Sequence, residues 1–295
     1  MRVGRLGAGD VDEAAEILHD AFEGVYRRRG HLPPFPNRES AAWLCRAYLD
    51  LDPEGCMMAW SGGQPVGVGF AHPRGAVTSI GPLAARPGAP AGVARALMKQ
   101  LSKVAATSTS LRLFQDSFNP DSFGLYTRLG YVVTDVAPYL LAERLEPPPE
   151  PPPRNVRAFS GGDLQLVAAY DRARTGAERR PDLALLASTG AGFVSETRDK
   201  PGSVNGYLVF RTLPARVVVG PGVAESAEVM ADLVDAIAAA LPGHPAVIRA
   251  SASTPAVLQR AFARGFRIDH LGNLMVSGPY HPPAAQLYAL FPESL

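Results

Sequence analysis

Cysteine is scarce: the 295-residue chain has two, Cys45 and Cys56. That excludes a disulfide scaffold, and without neighbouring Cys/His partners it also excludes a structural zinc cage, so no metal is expected. No apolar run approaches the roughly 20 residues that a membrane span needs. The opening segment, MRVGRLGAGDVDEAAEI, lacks the apolar centre of a signal peptide. Charge of one sign is lacking as well: 29 basic residues stand against 28 acidic, a formal net charge of +1. A basic footprint for nucleic acid is therefore missing. These absences point to a cytoplasmic protein with no membrane or nucleic-acid partner. Apolar residues are not scarce. At 46% they suffice for real cores, and at roughly 100–200 residues per domain the length suggests two.

Proline is placed unevenly. Glu146–Pro153 reads EPPPEPPP, six prolines in eight residues. Prolines lack the N–H that a helix interior or a sheet requires, so this block predicts an extended spacer. The expected division is residues 1–145, a linker over 146–153, and residues 154–295. The halves resemble one another. VGRLGAGD at Val3–Asp10 is echoed by VRAFSGGD at Val156–Asp163, and Gly81-Pro82 by Gly220-Pro221. Asn119-Pro120 precedes Gly130-Tyr131 as Thr254-Pro255 precedes Gly265-Phe266, at one spacing. Four matches in one order argue for a duplicated fold.

In the first half the pattern predicts a strand at Arg2–Leu6 and a helix from Asp10 to about Tyr26. Ala14, Ile17, Leu18, Ala21 and Phe22 form the helix's apolar stripe. A loop, His31–Pro36, and a helix over Arg38–Leu51 follow. Strands are expected at Cys56–Trp60, Pro65–His72 and Ala76–Ala85, then a helix from Gly92 to about Ala106. A strand at Leu111–Gln115, a helix at Pro120–Leu129 and closing strands at Tyr131–Val136 and Tyr139–Leu145 complete an α/β order, βααβββαβαββ.

Two segments carry chemistry. In Ile80–Met98, IGPLAARPGAPAGVARALM, a strand enters a Gly-rich turn that opens a helix. Such a turn gathers free N–H groups and the positive helix end, which suits an anion. From Gly55 to Gln115 there is no Asp or Glu, while Arg74, Arg86, Arg95, Lys99, Lys103 and Arg112 lie in the span. An ordinary strand–helix turn with a solvated basic face would leave the same trace. The second segment is Asn119–Tyr131, NPDSFGLYTRLGY. Asn119 suits an N-cap, Pro120 the first helical position, and Leu129-Gly130 a helix stop. Tyr126 is either packing or a proton donor.

Together these segments resemble the GNAT superfamily of N-acetyltransferases. That family pairs a pyrophosphate loop, Q/R-x-x-G-x-G/A, with a downstream Asn and a Leu-Tyr-x-x-Leu-Gly-Phe/Tyr helix end. The second motif stands as Leu125-Tyr126-Thr127-Arg128-Leu129-Gly130-Tyr131. The first stands as Ala89-Pro90-Ala91-Gly92-Val93-Ala94, with Ala89 in place of Gln or Arg and Pro90 bringing no N–H. The resemblance implies two tandem GNAT-like domains, each a bent, mixed, mostly antiparallel sheet flanked by helices. It implies a notch between the Ala76–Ala85 and Leu111–Gln115 strands that takes acetyl-CoA as co-substrate. Backbone of Leu83, Ala84 and Ala85 would pair with the pantetheine. The loop and helix start at Gly88, Ala89, Ala91, Gly92, Val93, Ala94 and Arg95 would hold the pyrophosphate. Asn119 would bind the pantetheine arm, and Tyr126 would be the general acid on the departing thiolate.

The implied reaction is acetyl transfer to a primary amine, a small molecule or a peptide, with a homodimer left open. The alternative is a non-catalytic GNAT fold that holds CoA-type ligands as a sensor or interaction module. In the second half the phosphate-loop position reads Val223-Ala224-Glu225-Ser226-Ala227-Glu228, with two carboxylates and no glycine pair. Asn119 and Tyr126 correspond to Thr254 and Ala261. This half is expected to hold no CoA. Its segment DRARTGAERR, Asp171–Arg180, offers Arg172, Arg174, Arg179 and Arg180 either to an acidic substrate or to solvent. Among candidate bases, His72, His31, Glu23 and Glu39 leave the choice open.

Overall fold

A computed structural model describes residues 1–189, 191–197, 202–213 and 215–288. The chain forms two compact units. Within the described residues the first holds Met1–Val132 and Met275–Pro279, and the second holds Val133–Leu274 and the segment from Tyr280 onward.

The first unit begins with β1 (Arg2–Arg5), α1 (Val11–Arg27) and α2 (Arg38–Leu51). Asn37 starts α2 by accepting a hydrogen bond from the Ser40 amide at 2.9 Å. Then come β2 (Cys56–Ser61), β3 (Gln64–Arg74), β4 (Val77–Ala85), α3 (Val93–Val104), β5 (Ser110–Asp116) and α4 (Pro120–Arg128). β1, β2, β3 and β4 pair antiparallel in sequence order, and β5 joins β4 in parallel. One face buries Ile17 and Leu18 of α1 and Leu44 and Tyr48 of α2 against Val68 and Phe70. The other buries Met98 and Leu101 of α3 and Tyr126 of α4 against Ala71, Leu113 and Met275.

Glycine sets how closely α3 lies on the sheet. A Cβ at Gly67 would sit 2.5 Å from Val93, and one at Gly69 would sit 2.6 Å from Leu83 and 3.1 Å from Leu101. Side chains at these β3 positions would push the helix away, so their absence lets α3 start just beyond the end of β4.

The second unit starts within β6 (Val132–Ala142) and continues through β7 (Val156–Ala158), α5 (Leu164–Thr175), α6 (Arg180–Thr189) and β8 (Ala191–Glu196). β9 (Val204–Thr212), β10 (Val217–Ala224), α7 (Ala227–Ala240), β11 (Ala246–Arg249), α8 (Pro255–Ala263), β12 (Phe266–Ser277) and β13 (Ala285–Leu287) follow. β7–β8–β9–β10 is antiparallel, β11 is parallel to β10, and β6 is antiparallel to β11. The second unit thus repeats the first: an antiparallel meander, one parallel step and a helix over it. Gly206 repeats the role of Gly67, since its Cβ would meet Val229 at 2.7 Å and Leu233 at 3.2 Å. The Gly81-Pro82 and Gly220-Pro221 bonds are both cis.

The expected α/β class and the mostly antiparallel sheets are what the chain adopts. The two closing strands predicted at 131–136 and 139–145 are one strand, β6. Pro138 does not break it, because what it supplies there is an acceptor: its carbonyl takes the Ala250 amide at 3.2 Å. The proline block carries no helix or strand. Its first residues are tied down, Glu146 N–H to the Arg264 carbonyl at 3.2 Å and the Arg264 guanidinium to the Pro147 carbonyl at 3.0 Å. Among the described residues no helix is long and apolar enough to cross a membrane.

A buried ion cluster braces the first unit. Asp52 accepts from both terminal nitrogens of Arg74, at 2.7 and 2.8 Å, and contacts His72 Nδ1 at 2.8 Å. Burial opposes ionisation of Asp52, but the hydrogen bonds from His72 and Arg74 outweigh it and hold its pKa below the usual carboxylate range. A depressed carboxylate contributes stability that is complete above the unfolded pKa, near 4, and is lost as pH falls through the folded value. Asp52→Asn is expected to cost about 3–5 kcal/mol near neutral pH, as for one partner removed from a buried pair. The difference from wild type should shrink below about pH 4. Urea unfolding across pH measures both, and a variant with unchanged midpoint at pH 7 would contradict the assignment.

Candidate functional site

The parallel pair β4–β5 is short. Val77, Thr78 and Ser79 pair with Ser110, Leu111 and Arg112, and the ladder ends there. β4 continues to Ala85 and β5 to Asp116. One edge of Leu83–Ala85 is used by Gly67–Gly69 of β3. The other edge has no strand partner among the described residues, which opens the expected notch between these two strands.

The loop leaving β4 leads to the start of α3. Arg86 N–H extends the sheet by one bond to the Val66 carbonyl, and Ala89 N–H closes a turn on the Arg86 carbonyl, both at 2.9 Å. Gly88 and Gly92 have φ of 78° and 91°, left-handed backbone that glycine adopts without strain. Gly92 caps α3 with no side chain, and its carbonyl receives the first helical bond, from Ala96. The amides of Val93, Ala94 and Arg95 therefore lack intrahelical acceptors. No acidic residue lies in the first turn. Gly88, Ala91, Gly92 and Arg95 are exposed, and Ala89 and Ala94 are half-buried. The helix start is a solvent-open set of donors at the positive end of a dipole.

Tyr126 and Asn119 sit on α4. The Tyr126 ring is buried and packs edge-on to Tyr131 at 6.1 Å between centroids. Its hydroxyl makes no hydrogen bond to any described residue. Burial, then the nearby Tyr131 and Asp116, push its pKa well above 10, so it stays protonated at neutral pH. The Asn119 side-chain oxygen is engaged in capping, accepting the Ser122 amide at 3.3 Å. Its carbonyl takes Gln115 Nε2 at 2.8 Å and Ser122 Oγ at 3.0 Å. Asn119 therefore fixes the start of the helix that carries Tyr126.

The carboxylate-free stretch of sequence is not carboxylate-free in space. Arg86 pairs with Glu16 of α1 and reaches the Pro65 carbonyl, which draws it off the loop. Arg74 is spent on Asp52, and Arg112 is buried beside Ser110. The exposed cations of α3 are Arg95 in its first turn, at the loop, then Lys99, with Lys103 at the far end of the helix. His72 is buried, with Nδ1 on Asp52 and Nε2 3.2 Å from the Gly81 carbonyl. Both ring nitrogens are engaged, so His72 is a brace for the β4 turn rather than a base. Glu23 is engaged by Arg27 at 2.8 Å. His31 stacks on Phe118 at 4.7 Å. Glu39 lies instead in a groove of about 730 Å³ between α1 and α2.

The second unit treats the same features differently. Gly220-Pro221 and the pairing with β9 place Gly222, Val223 and Ala224 where Leu83, Ala84 and Ala85 stand. Here the free edge is taken. β13 pairs antiparallel with it, Gly222 to Leu287, Val223 to Gln286 and Ala224 to Ala285, and Leu287 bridges to Ala250 just beyond β11. The notch of the second unit is filled by its own chain. Its helix start is closed too: Ser226 Oγ accepts the Val229 amide at 3.3 Å, and Glu228 occupies the first turn. Glu225 accepts from Asn205 at 2.7 Å. Four residues, 225–228, separate Ala224 from Val229, against seven, 86–92, between Ala85 and Val93. The arginines of Asp171–Arg180 are largely used internally. Arg179 is buried against Asp171 and Tyr207, Arg172 pairs with Glu178 at 3.1 Å, and Arg174 lies over the Tyr170 ring.

The acetyltransferase (GNAT) family profile matches residues 13–131, and an acetyltransferase (GNAT) domain profile matches residues 167–289. A putative acetyltransferase from Pyrococcus horikoshii aligns with a TM-score of 0.75 at 17% identity, over 97% of this chain and 92% of its own. A GCN5-related N-acetyltransferase from Sphaerobacter thermophilus aligns at 0.64 and 14%, over 96% and 98%. A tandem GNAT protein from the clavulanic acid biosynthesis pathway aligns at 0.60 and 14%, over 95% and 99%. Comparison with curated proteins gives no match. With one GNAT match in each half, over residues 13–131 and 167–289, the chain belongs to the GNAT acetyltransferase family, with two such domains in tandem.

Proposed function

We propose that the protein is an acetyl-CoA-dependent N-acetyltransferase with one working site, in the first copy, acting on a primary amine. The observation that carries this reading is the contrast between the copies. The β4–β5 opening ends at an uncapped helix start, whereas its counterpart is occupied by β13 and capped by Ser226. The second copy then serves as a packed GNAT-shaped partner without CoA.

The residues present fit acetyl-CoA. The open edge of Leu83–Ala85 suits the amide-bearing pantetheine arm, as another strand would. The amides of Val93, Ala94 and Arg95, with Gly88, Ala89, Ala91 and Gly92 shaping the approach, suit the diphosphate. Acetyl-CoA supplies the acetyl thioester. Asn119 fixes the start of α4, and through it Tyr126, and its side-chain NH2 is the group assigned to the pantetheine arm. Tyr126 holds a proton on a hydroxyl that burial keeps neutral, ready for the sulfur as the C–S bond breaks and the N–C bond forms. The proton shed by the acceptor nitrogen restores the tyrosine through solvent, so the step balances without another reactant.

Pro90, which cannot donate to a phosphate, favours the second reading, a CoA-holding protein without turnover. Release of free thiol from acetyl-CoA with an amine panel separates the two. Under the first reading Tyr126→Phe is expected to lower kcat by about 100-fold or more, the lower end for general acid catalysis. Its KM for acetyl-CoA should hold within about threefold, since the ring and its packing remain. Unchanged turnover would remove Tyr126 from the mechanism. Calorimetry is expected to find one CoA per chain. Gly92→Ala, forcing a side chain into left-handed backbone at a cost of about 1–2 kcal/mol, should weaken CoA binding. Two equivalent sites, or an unaffected Gly92 variant, would contradict the single-site reading.

A further inference from the structure

The β3–β4 ladder pairs Gly69 with Leu83 and Ala71 with Ile80, so Gly81 and Pro82 bulge opposite Phe70. The bulge lies between the part of β4 that pairs with β5 and the open edge of Leu83–Ala85. A bulge re-aims the strand beyond it. His72 of β3, 1% exposed, reaches this point: its Nε2 lies 3.2 Å from the Gly81 carbonyl, and its Nδ1 lies 2.8 Å from Asp52 Oδ2. A carbonyl only accepts. So does Asp52, since burial opposes its charge but the bonds from His72 and Arg74 outweigh burial and keep it ionised. A neutral imidazole has one N–H, so it serves one of these acceptors and turns a lone pair toward the other. Both contacts are hydrogen bonds only when the ring carries a proton on each nitrogen.

Asp52, at the end of α2, supplies the negative charge that faces the ring, and it holds Arg74 as well, at 2.7 and 2.8 Å. The Tyr48 ring of α2 stands 4.2 Å away between centroids, and Cys56 of β2 donates its thiol to the Asp52 carbonyl at 3.4 Å. Burial pushes the Cys45 and Cys56 thiols up to about 12, so neither titrates in the neutral range. The duplicate supplies an independent comparison. Its bulge, Gly220-Pro221, lies opposite Val209, and Arg211 pairs with Val218 two residues before the bulge, as His72 pairs with Ser79. Arg211 is 4% exposed. A buried basic side chain stands at this position in both copies, permanently charged where the notch is filled and titratable where it is open.

Resting on the acetyl-CoA reading of the first copy, we propose that His72 is a positioning residue: with both nitrogens protonated it ties the Gly81 carbonyl to Asp52 and so fixes the Leu83–Ala85 edge for the pantetheine arm. Loss of one proton frees the Gly81 carbonyl, and the edge loses its fixed place. The affinity for acetyl-CoA that this contact contributes is full while the ring is doubly protonated and is lost as pH rises through the ring's titration. Buried under the bulge, the ring acts through Gly81 and takes no part in the proton transfer assigned to Tyr126.

The test reads the ring, the edge and the affinity separately. NMR of the full-length protein with isotope-labelled histidine follows the assigned His72 ring nitrogens from about pH 6 to about pH 9, around the range in which imidazole titrates. At about pH 6 both nitrogens should carry protons, and in ligand-free protein the Leu83–Ala85 amides should shift with the midpoint of that ring. Acetyl-CoA binding is measured by calorimetry on wild type and on His72→Gln, which is neutral throughout; comparison at one pH cancels the ligand's own ionisation. Wild type should bind at least about tenfold more tightly at about pH 6, the loss expected of one charge-assisted hydrogen bond, and within about twofold at about pH 9, with melting curves confirming the fold. A ring left with one proton at about pH 6, as burial alone would leave it, amides that ignore its titration, or an affinity ratio that holds across pH would overturn the proposal. If His72→Gln fails to fold, the wild-type spectra decide alone. Failure of acetyl-CoA to bind wild type at any pH would overturn the cofactor reading instead, since the ring and amide signals need no ligand.

Discussion

A parallel strand pair that separates after two or three residues leaves backbone donors and acceptors along its inner edges, and such groups need partners. This constraint organises both halves of the chain. In the second copy the edge of Gly222–Ala224 is satisfied by β13, a strand from the same polypeptide. In the first copy the equivalent edge of Leu83–Ala85 has no strand beside it among the described residues. On the proposed reading, an extended, amide-bearing molecule takes the first edge as a peptide strand takes the second.

The same logic extends to the helix that follows. Both copies bring a helix close to the sheet by removing a side chain beneath it, at Gly67 and at Gly206. That placement aims the helix start at the strand end. The copies then diverge by what covers the start: a glycine with no cap in α3, a serine cap and a glutamate in α7. Five fewer loop residues, 225–226 against 86–92, a serine cap and two glutamates separate the closed helix end from the open one. The scaffold was duplicated, and the chemistry rests on local differences within it.

Much of this was legible in the sequence because it is local. The α2 bounds, the Asn119 cap, the Gly92 helix start and the positions of β2 to β5 follow from patterns within a few residues. The duplication was legible from Gly-Pro and Asn/Thr-Pro spacing. Long-range pairing was not. Asp52 finds His72 and Arg74 some twenty residues later, and Glu16 crosses to Arg86, so a stretch without acidic residues is not a region without negative charge. β13 is three residues long, with no alternation to announce it, and its partner lies more than sixty residues earlier. The continuity of β6 through Pro138 was equally hidden, since it depends on which edge of the strand needs a donor. Asp116 lies one residue past the stretch read as acid-free, and its partner Tyr26 lies ninety residues away.

The central claim is that ligand fills the notch of the first copy and chain fills that of the second. Backbone amide NMR during titration with CoA tests this most directly, because the amides themselves are the proposed contacts. Resonances of Leu83–Ala85 and Val93–Arg95 should shift with ligand, while those of Gly222–Ala224 and Ala227–Val229 stay in place. Shifts concentrated at the second set, or absent from the first at saturating ligand, would contradict it.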